Sequence, residues 1–232
     1  MQIGGFQKFS LIDYPDKMAA VVFTLGCNYR CPYCHNPELV IPSLRTPEIN
    51  EEEVLSFLFE RKEKLQGVVV TGGEPTLQDD LMDFLRKVKQ MGFCVKLDTN
   101  GSRPQIVREI IDQGLADLVC MDIKAPLEKY ALLTGIDVNT ENIQESIRII
   151  LDSGVKHIFR TTIVKSFFQE EDFAKIHNLI QGARKYNLQA FVHQSEILDK
   201  TLLDQAHYTD EEFSRLAEAW QIDHPAVLKG KE

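Results

Sequence analysis

Short apolar segments alternate with amphipathic segments along almost the whole chain, and this alternation restricts the fold more than any other feature of the sequence. The apolar segments are nearly continuous and rich in β-branched residues, as parallel strands covered on both faces are. They are Met18–Leu25, Gly67–Thr71, Phe93–Asp98, Asp117–Asp122, His157–Val164 and Leu188–His193. Because a parallel connection needs a crossover that is usually a helix, this order indicates an α/β fold.

The segments between the strands have the spacing of apolar residues that is typical of amphipathic helices. They are Glu51–Leu65, Asp79–Met91, Pro104–Gln113, Thr140–Ser153 and Glu170–Tyr186, and Thr209–Trp220 follows the last strand. Asn50 and Thr209 stand where helix N-caps are expected. Gly92, Gly114 and Gly154 each follow a helix and precede a strand, as glycines in the left-handed conformation do at helix ends.

The order of these elements predicts a single domain, built as a partial (βα)6 barrel, an incomplete form of the eightfold α/β barrel. We expect an amino-terminal lead at residues 1–17, the partial barrel at 18–193 and a carboxy-terminal extension at 194–232. The 232 residues suffice for a sizeable core, and we find no internal repeat, low-complexity tract or linker.

Composition and charge argue against several classes of protein. Hydrophobic residues make up 44% of the chain and charged residues 26%, as in ordinary globular proteins. A net charge of −9 without a cluster of Lys and Arg argues against nucleic-acid binding. The start Met1–Gly5 lacks the basic region of a signal peptide, and the apolar stretch around Met18–Leu25 is too short to span a bilayer. We therefore expect a cytoplasmic protein that binds neither nucleic acid nor membranes.

The five cysteines are distributed unevenly, with Cys27, Cys31 and Cys34 inside eight residues of each other and Cys94 and Cys120 alone in apolar strands. The isolated pair is interpreted as small core residues. In a chain without an export signal, the clustered three indicate metal ligation rather than disulfides.

Three soft thiolates on one loop suit an iron–sulfur cluster or zinc. Structural zinc needs a closed set of four ligands, which the chain does not supply, and His35 adjoins Cys34, where a shared tetrahedron is awkward. Three thiolates on a four-iron cluster leave one iron open to bind and activate a ligand. A zinc-binding or iron–sulfur module without catalysis remains the alternative from a different class.

Polar residues follow four consecutive predicted strands, as Cys27–Cys34, Gly72-Gly73-Glu74-Pro75, Asp98-Thr99-Asn100-Gly101 and Asp122-Ile123-Lys124. Taken singly, the last three could be a strand-ending turn, an Asn-Gly turn and a surface ion pair. The active sites of α/β barrels lie in the loops after the strands, so four such segments predict one site at this rim.

The spacing Cys-x3-Cys-x2-Cys, with the aromatic Tyr33 before the last cysteine, resembles the signature of the radical S-adenosylmethionine (SAM) superfamily. The resemblance implies a partial barrel of the radical SAM type and a [4Fe–4S] cluster on Cys27, Cys31 and Cys34, with SAM at the open iron. One electron from the reduced cluster then gives methionine and a 5'-deoxyadenosyl radical. Gly72, Gly73 and Glu74 resemble the superfamily's GGE motif, which grips the methionyl amino group.

The chain also resembles the glycyl-radical activating enzymes, in which a DTNG-like turn and a later D-x-K strand end contact the cofactor and a monovalent cation. This likeness implies Asp98, Thr99 and Asp122 as candidate cation ligands. It also implies Asn100 and Lys124 as cofactor contacts. Arg160 and His193, at two later strand ends, are weaker candidates for cofactor contact.

Four segments of the chain carry this resemblance. Residues 3–17 read IGGFQKFSLIDYPDK and residues 23–38 read FTLGCNYRCPYCHNPE, close to the activating enzymes except at Asp16, where their pattern has glycine. Leu188-Gln189-Ala190-Phe191 and Leu198-Asp199 resemble the anaerobic ribonucleoside-triphosphate reductase activating proteins. No cysteine follows Glu38 before the next helix, so one cluster is expected.

The implied function is that of a radical SAM oxidoreductase that installs a glycyl radical on a partner protein, with anaerobic ribonucleoside-triphosphate reductase as the favoured partner. The open side of an incomplete barrel could admit a peptide loop. A flavodoxin or ferredoxin is the usual electron donor of such enzymes. Two alternatives within the enzyme class remain open: activation of a formate-lyase type enzyme, and radical chemistry on a small molecule.

Overall fold

The strands form one sheet in which the spatial order follows the chain. The computed structural model describes residues 1–45, 47–191, 197–205 and 208–219. The strands in these ranges are β1 Ile3–Ser10, β2 Ala19–Thr24, β3 Gly67–Gly72, β4 Cys94–Thr99, β5 Leu118–Asp122, β6 Lys156–Ile163 and β7 Tyr186–Ala190. All neighbouring pairs from β2 to β7 are parallel. The α/β class and the six parallel strands predicted from the apolar segments are confirmed.

Strand β1 was not predicted, because the first 17 residues were assigned only to an amino-terminal lead. It pairs antiparallel with β2 at the edge of the sheet. Ile3 is fully buried, whereas Gln7, Lys8 and Phe9 are exposed, so the strand lacks the continuous apolar run of its neighbours. Gly4 lies against Leu25, where a Cβ would come within 2.4 Å of Cδ2. An edge strand of this kind gives a weak sequence signal.

Every predicted helix is present, together with two short helices that were not predicted, Pro37–Val40 and Tyr130–Thr134. The helices are α1 Pro37–Val40, α2 Glu51–Arg61, α3 Leu81–Gln90, α4 Pro104–Asp112, α5 Tyr130–Thr134, α6 Thr140–Ser153, α7 Glu170–Leu179 and α8 Asp210–Ala219, with short 3-10 helices at Pro42–Leu44, Pro75–Leu77, Leu127–Lys129 and Lys200–Asp204. Asn50 caps α2 by accepting from the Glu52 N–H, and Thr209 and Glu212 form reciprocal hydrogen bonds at the start of α8. None of the helices in the described ranges has the length and apolarity needed to cross a membrane.

Some predicted boundaries are wrong: the helix expected over Glu51–Leu65 ends at Arg61, and the largest error is in the next-to-last helix. The helix expected over Glu170–Tyr186 ends at Leu179, and Tyr186 already belongs to β7. Gly182, with φ +92°, lies between them in a conformation that a helix does not contain. Gly92, Gly114 and Gly154, by contrast, have the positive φ predicted for glycines at helix ends.

Successive side chains of a strand point to opposite faces of the sheet, so the strands contribute to two separate apolar cores. Val68 and Val70 of β3 face the helices in the larger core, whereas Val69 faces the interior of the curved sheet. Cys120 packs in this interior with Ile158 and is buried, so its interpretation as a core residue is confirmed. The interior core is small and leaves room for polar side chains above it.

The turn before β2 contains the one departure from the activating-enzyme pattern. The Lys17 N–H donates to the carbonyl oxygen of Tyr14 at 3.2 Å, which closes the turn Tyr14-Pro15-Asp16-Lys17. Asp16 has φ +60° and is the single non-glycine residue with positive φ among the described residues. Proline at the second position and a positive φ at the third are features of a type II turn. The backbone conformation that glycine would favour is therefore kept with an aspartate.

Replacing Asp16 tests this turn. We expect Asp16→Val to lower the free energy of unfolding by about 1–2 kcal/mol, because a β-branched residue is strained at positive φ. Asp16→Gly should leave it equal or raise it by up to about 1 kcal/mol. Urea denaturation measures both, and equal stability of the two variants would contradict the left-handed conformation.

Candidate active site

A cavity of about 310 Å³ opens at the carboxyl ends of the parallel strands. Every site residue predicted from the sequence lines this cavity except His193, which lies outside the described residues. The predicted residues that line it are Cys27, Cys31, Tyr33, Cys34, Gly72, Gly73, Glu74, Asp98, Thr99, Asn100, Asp122, Lys124 and Arg160. Sheet register explains the convergence, because Gly72 pairs with Thr24 and Arg160 pairs with Asp122 at one edge.

The three cysteines lie on one loop, whose backbone carbonyl groups are held by hydrogen bonds from within the loop. Cys31 is 9% exposed, and Cys27 and Cys34 are partly buried. The Cys34 N–H donates to the carbonyl oxygen of Cys31 at 3.0 Å. The Arg30 guanidinium donates to the carbonyl oxygens of Cys27 and Tyr29, at 2.7 Å each. All three cysteines of this loop line the cavity.

The glycines after β3 permit close contact with the cysteine loop. A Cβ on Gly73 would lie 2.0 Å from the carbonyl oxygen of Gly26, and one on Gly72 would lie 2.3 Å from the Thr24 nitrogen. The Glu74 N–H donates to the Gly26 carbonyl at 2.8 Å. Close approach of two backbones explains why glycine is needed at both positions.

A segment beyond the barrel also supports the cysteine loop. The Leu198 N–H donates to the carbonyl oxygen of Cys34 at 3.1 Å, and the Asp199 N–H donates to that of Pro32 at 2.9 Å. Asp199 also accepts from the N–H and hydroxyl of Thr201 and is the N-cap of the 3-10 helix Lys200–Asp204. The sequence analysis used Leu198 and Asp199 as marks of resemblance and missed this contact.

Glu74 is held by four hydrogen bonds inside the protein. Its Oε1 accepts from the Thr76 N–H at 3.1 Å, the Thr76 hydroxyl at 2.6 Å and the Thr99 hydroxyl at 2.7 Å, and its Oε2 accepts from the Asn100 N–H at 2.6 Å. The residue is 1% exposed. Burial raises the pKa of the Glu74 carboxyl, while the four donors favour its ionised form. The side chain thus joins the ends of β3 and β4.

Asn100 extends this network to the cysteine loop. Its Nδ2 donates to Oδ1 of Asn28 at 2.9 Å, and Nδ2 of Asn28 donates to the Ser102 hydroxyl at 2.9 Å. Its Oδ1 accepts from the Ser102 N–H. Both polar atoms of the Asn100 side chain are engaged within the protein, so the network fixes the loop that carries Cys27.

The residues predicted to hold a monovalent cation are engaged with protein groups. Asp98 pairs with Lys96 at 2.6 Å, and Asp122 pairs with Arg160 at 2.7 Å and with Lys124 at 2.9 Å. Among the residues that the structure describes, no group of three or more His, Cys, Asp or Glu side chains is arranged around a site for a single metal ion.

These ion pairs hold the side chains in their charged forms. Burial opposes the charge on Asp122, but the adjacent Arg160 and Lys124 hold the pKa of its carboxyl well below the usual range. Burial likewise opposes the charge on Lys124, while Asp122 keeps the pKa of the ammonium well above its ordinary value. At neutral pH this part of the cavity lining is therefore charged, with both signs present.

The donor set fits an iron–sulfur cluster. Burial raises the pKa of the Cys27 thiol to about 12 and also raises that of the Cys31 and Cys34 thiols, so metal binding has to displace their protons. The hydroxyls of Tyr29 and Tyr33 are buried and have no hydrogen-bond partner among the described residues. Both tyrosines line the cavity, where a bound group with polar atoms could supply the missing partner.

Comparison with known proteins agrees with this geometry. The profile of the Radical SAM superfamily matches residues 21–180. This chain belongs to the Radical SAM superfamily. A protein of Methanocaldococcus jannaschii named as a glycyl-radical enzyme activating enzyme is 36% identical over 195 residues, which cover 82% of this chain and 79% of that one. The pyruvate formate-lyase-activating enzyme of Clostridium pasteurianum is 31% identical over 190 residues, and this match covers 79% of this chain and 77% of that enzyme.

A solved structure shows the same fold. Streptococcus suis SuiB bound to S-adenosylmethionine superposes with a TM-score of 0.65 at 15% identity and covers 85% of this chain. This chain spans 45% of the length of SuiB. Membership in the radical SAM superfamily implies a [4Fe–4S] cluster and SAM as cofactors, as the cysteine spacing predicted.

The radical SAM cavity also contains residues that sequence reasoning missed. Thr162 and Gln189 line it from β6 and β7. Thr162 lies two residues after Arg160, so strand alternation could have placed both on the same face. His35 stacks on Phe191 with ring centroids 5.3 Å apart, a contact between segments distant in the sequence that no local pattern reveals.

Gly73→Ala should disrupt the cysteine loop. The added Cβ has to push the Gly26 carbonyl away, so we expect a loss of about 1–3 kcal/mol in stability and of most of the bound iron. Gly114→Ala is the matched control, because its Cβ meets nothing within 4 Å although φ is +64°. The control should lose stability and keep its iron. Iron analysis after anaerobic reconstitution measures the difference, and equal iron in both variants would contradict the close packing.

Glu74→Gln should destabilise the fold without changing its shape. The amide nitrogen cannot accept a hydrogen bond, so a buried donor loses its partner at a cost of about 2–3 kcal/mol. Thr99→Val, which removes one hydroxyl donor, should cost less, about 1–2 kcal/mol. Chemical denaturation of the metal-free protein measures both values. A Glu74→Gln variant as stable as the wild type would show that the carboxylate does not organise these loops.

Proposed function

We propose that this protein is a glycyl-radical activating enzyme that cleaves SAM reductively and takes a hydrogen atom from a backbone glycine of a partner protein. The observation that carries the proposal is the placement of three thiols and a row of charged side chains in one cavity at the strand ends. Activating enzymes that match most of the chain support the same chemistry.

Three cysteines provide three ligands, so a four-iron cluster held by Cys27, Cys31 and Cys34 keeps one iron open for the cofactor. When bound, the cluster and SAM supply the one-electron chemistry that produces an organic radical. Arg30 fixes the carbonyl groups of the ligand loop and adds a positive charge beside it. The protein's part is to bind the cofactor, orient it and exclude water.

The backbone of Gly72 and Gly73 is the part of the GGE segment that we assign to the methionyl amino group. Glu74 was expected to take part through its carboxylate, but that group already accepts four hydrogen bonds. We therefore assign Glu74 and Asn100 to positioning. Lys124 and Arg160 line the cavity with side chains 17% and 23% exposed, and they suit the carboxylate of the cofactor.

The hydrogen donor is proposed to be a glycine in a flexible loop of anaerobic ribonucleoside-triphosphate reductase. The sequence of the amino-terminal lead and of residues 188–199 supports this partner. A formate-lyase type enzyme is the second candidate, and the identity with the Clostridium pasteurianum enzyme supports it. A flavodoxin or ferredoxin is proposed as the electron donor in either case.

Electron paramagnetic resonance tests the activity and the partner together. Reduced, cluster-loaded protein mixed with SAM and anaerobic ribonucleotide reductase should yield a glycyl-radical doublet. Cys34→Ala should abolish both SAM cleavage and the doublet, because the cluster loses a ligand. Cys94→Ala is the control that should retain both, since Cys94 lies away from the cavity lining.

The outcomes separate the alternatives. A doublet obtained with a formate-lyase type enzyme and not with the reductase would reassign the partner. SAM cleavage with neither would point to a small-molecule substrate. Cleavage that survives in Cys34→Ala would contradict the assignment of the cluster ligands.

A further inference from the structure

A buried lysine lies beneath the candidate site. Lys96, in the middle of β4, is 5% exposed, and its Nζ is 2.6 Å from Oδ1 of Asp98. The two residues are two positions apart on one strand, so their side chains project from the same face, toward the sheet interior. A buried ammonium is costly unless it is paired, so the contact with Asp98 is required by its position.

Lys96 differs from the other cations of this region in its access to the cavity. Lys124 and Arg160 are among the cavity-lining residues, where a ligand can reach them, whereas Lys96 is not part of the lining as far as the structure describes it. Arg160 approaches Asp98 at 3.6 Å, a longer distance than that from Lys96. Lys96 is therefore the closer partner of Asp98, whereas Arg160 lies farther from it and pairs with Asp122 at 2.7 Å.

The predicted monovalent-cation site does not fit this arrangement. Its two carboxylates, Asp98 and Asp122, are surrounded by the cations Lys96, Arg160 and Lys124. A sodium or potassium ion placed between the carboxylates would meet three positive side chains at close range. The Thr99 hydroxyl, the third predicted ligand, donates to Glu74 and accepts from the Gly101 N–H.

We propose that the ammonium of Lys96 takes the place of a monovalent cation beside Asp98, so that this protein binds SAM without sodium or potassium. Lys96 acts as a positioning residue through Asp98. By neutralising that carboxylate, it leaves the terminal nitrogens of Arg160 available for the carboxylate of the cofactor, while Nε of Arg160 stays bonded to Asp122. The inference rests on the proposed function, because it concerns the binding of SAM in this cavity.

A comparison of salts tests the wild type. The affinity of the cluster-loaded protein for SAM is measured by isothermal titration calorimetry in sodium, potassium and tetramethylammonium chloride at equal ionic strength. Tetramethylammonium is too large to enter a site between two carboxylates. We expect the three dissociation constants to agree within about twofold, which is less than 1 kcal/mol in binding free energy. A saturable gain of affinity in sodium or potassium would overturn the proposal.

The variant Lys96→Met tests the role of the ammonium directly. In tetramethylammonium its affinity for SAM should fall about tenfold or more, because Asp98 then holds Arg160. Potassium or sodium should restore the affinity in a saturable way, an effect that a merely structural lysine would not produce. Lys175→Met, which removes a surface ammonium paired with Glu128, is the matched control and should behave as the wild type. Full affinity of Lys96→Met in tetramethylammonium would overturn the proposal.

Thermal unfolding without SAM separates this inference from the proposed function. A cation that binds the folded variant raises its unfolding temperature, so potassium should stabilise Lys96→Met more than tetramethylammonium does and should leave the wild type unchanged. If the wild type binds no SAM in any salt, the proposed function fails, and this measurement still decides the role of Lys96. If Lys96→Met does not fold in tetramethylammonium, folding in potassium supports the proposal, and failure in both salts overturns it.

Discussion

The carboxylate of Glu74 joins segments that the chain keeps far apart. It follows β3 and takes hydrogen bonds from Thr76 in its own loop and from Thr99 and Asn100 after β4. Its backbone N–H reaches the loop after β2 through Gly26. A buried carboxylate is expensive unless donors surround it, so the three loops have to keep their relative positions for the charge to remain satisfied. The shape of the cavity depends on this one group.

The site is divided between a region of hydrogen bonds and a region of ion pairs. Asn28 and Asn100 fix the side of the cysteine loop, with neutral groups that tolerate a bound cluster. Asp122 and Arg160 belong to the charged part of the cavity lining, where charges lie close together in strand register. Thiols and paired charges in one cavity suit a cofactor that has both a sulfonium and an amino-acid end.

Much of the fold could be predicted because its signals are local. Apolar runs and helical spacing placed the parallel strands, and the rule that barrel sites follow strand ends predicted residues that the structure brings to one cavity. Strand β1 escaped prediction because three of its eight residues are exposed, and α7 was extended too far because Gly182 was not taken as a break. The partners of Glu74 and Asp98 could not be predicted in the same way. The pairing of Arg160 with Asp122 spans 38 residues and depends on sheet register, which a single sequence does not display.

The sequence around Lys96 shows that one face of β4 is charged, but the partners of these charges are hard to predict from it. Val95 and Leu97 alternate with Lys96 and Asp98 along β4, so one face of the strand is apolar and the other is charged. In a closed barrel filled by layers of branched side chains, a lysine at this position would have little room. The interior core here is small, and the charged face of β4 lies above it. An incomplete barrel can therefore keep a permanent cation under its catalytic rim, where a complete one would place a hydrophobic layer.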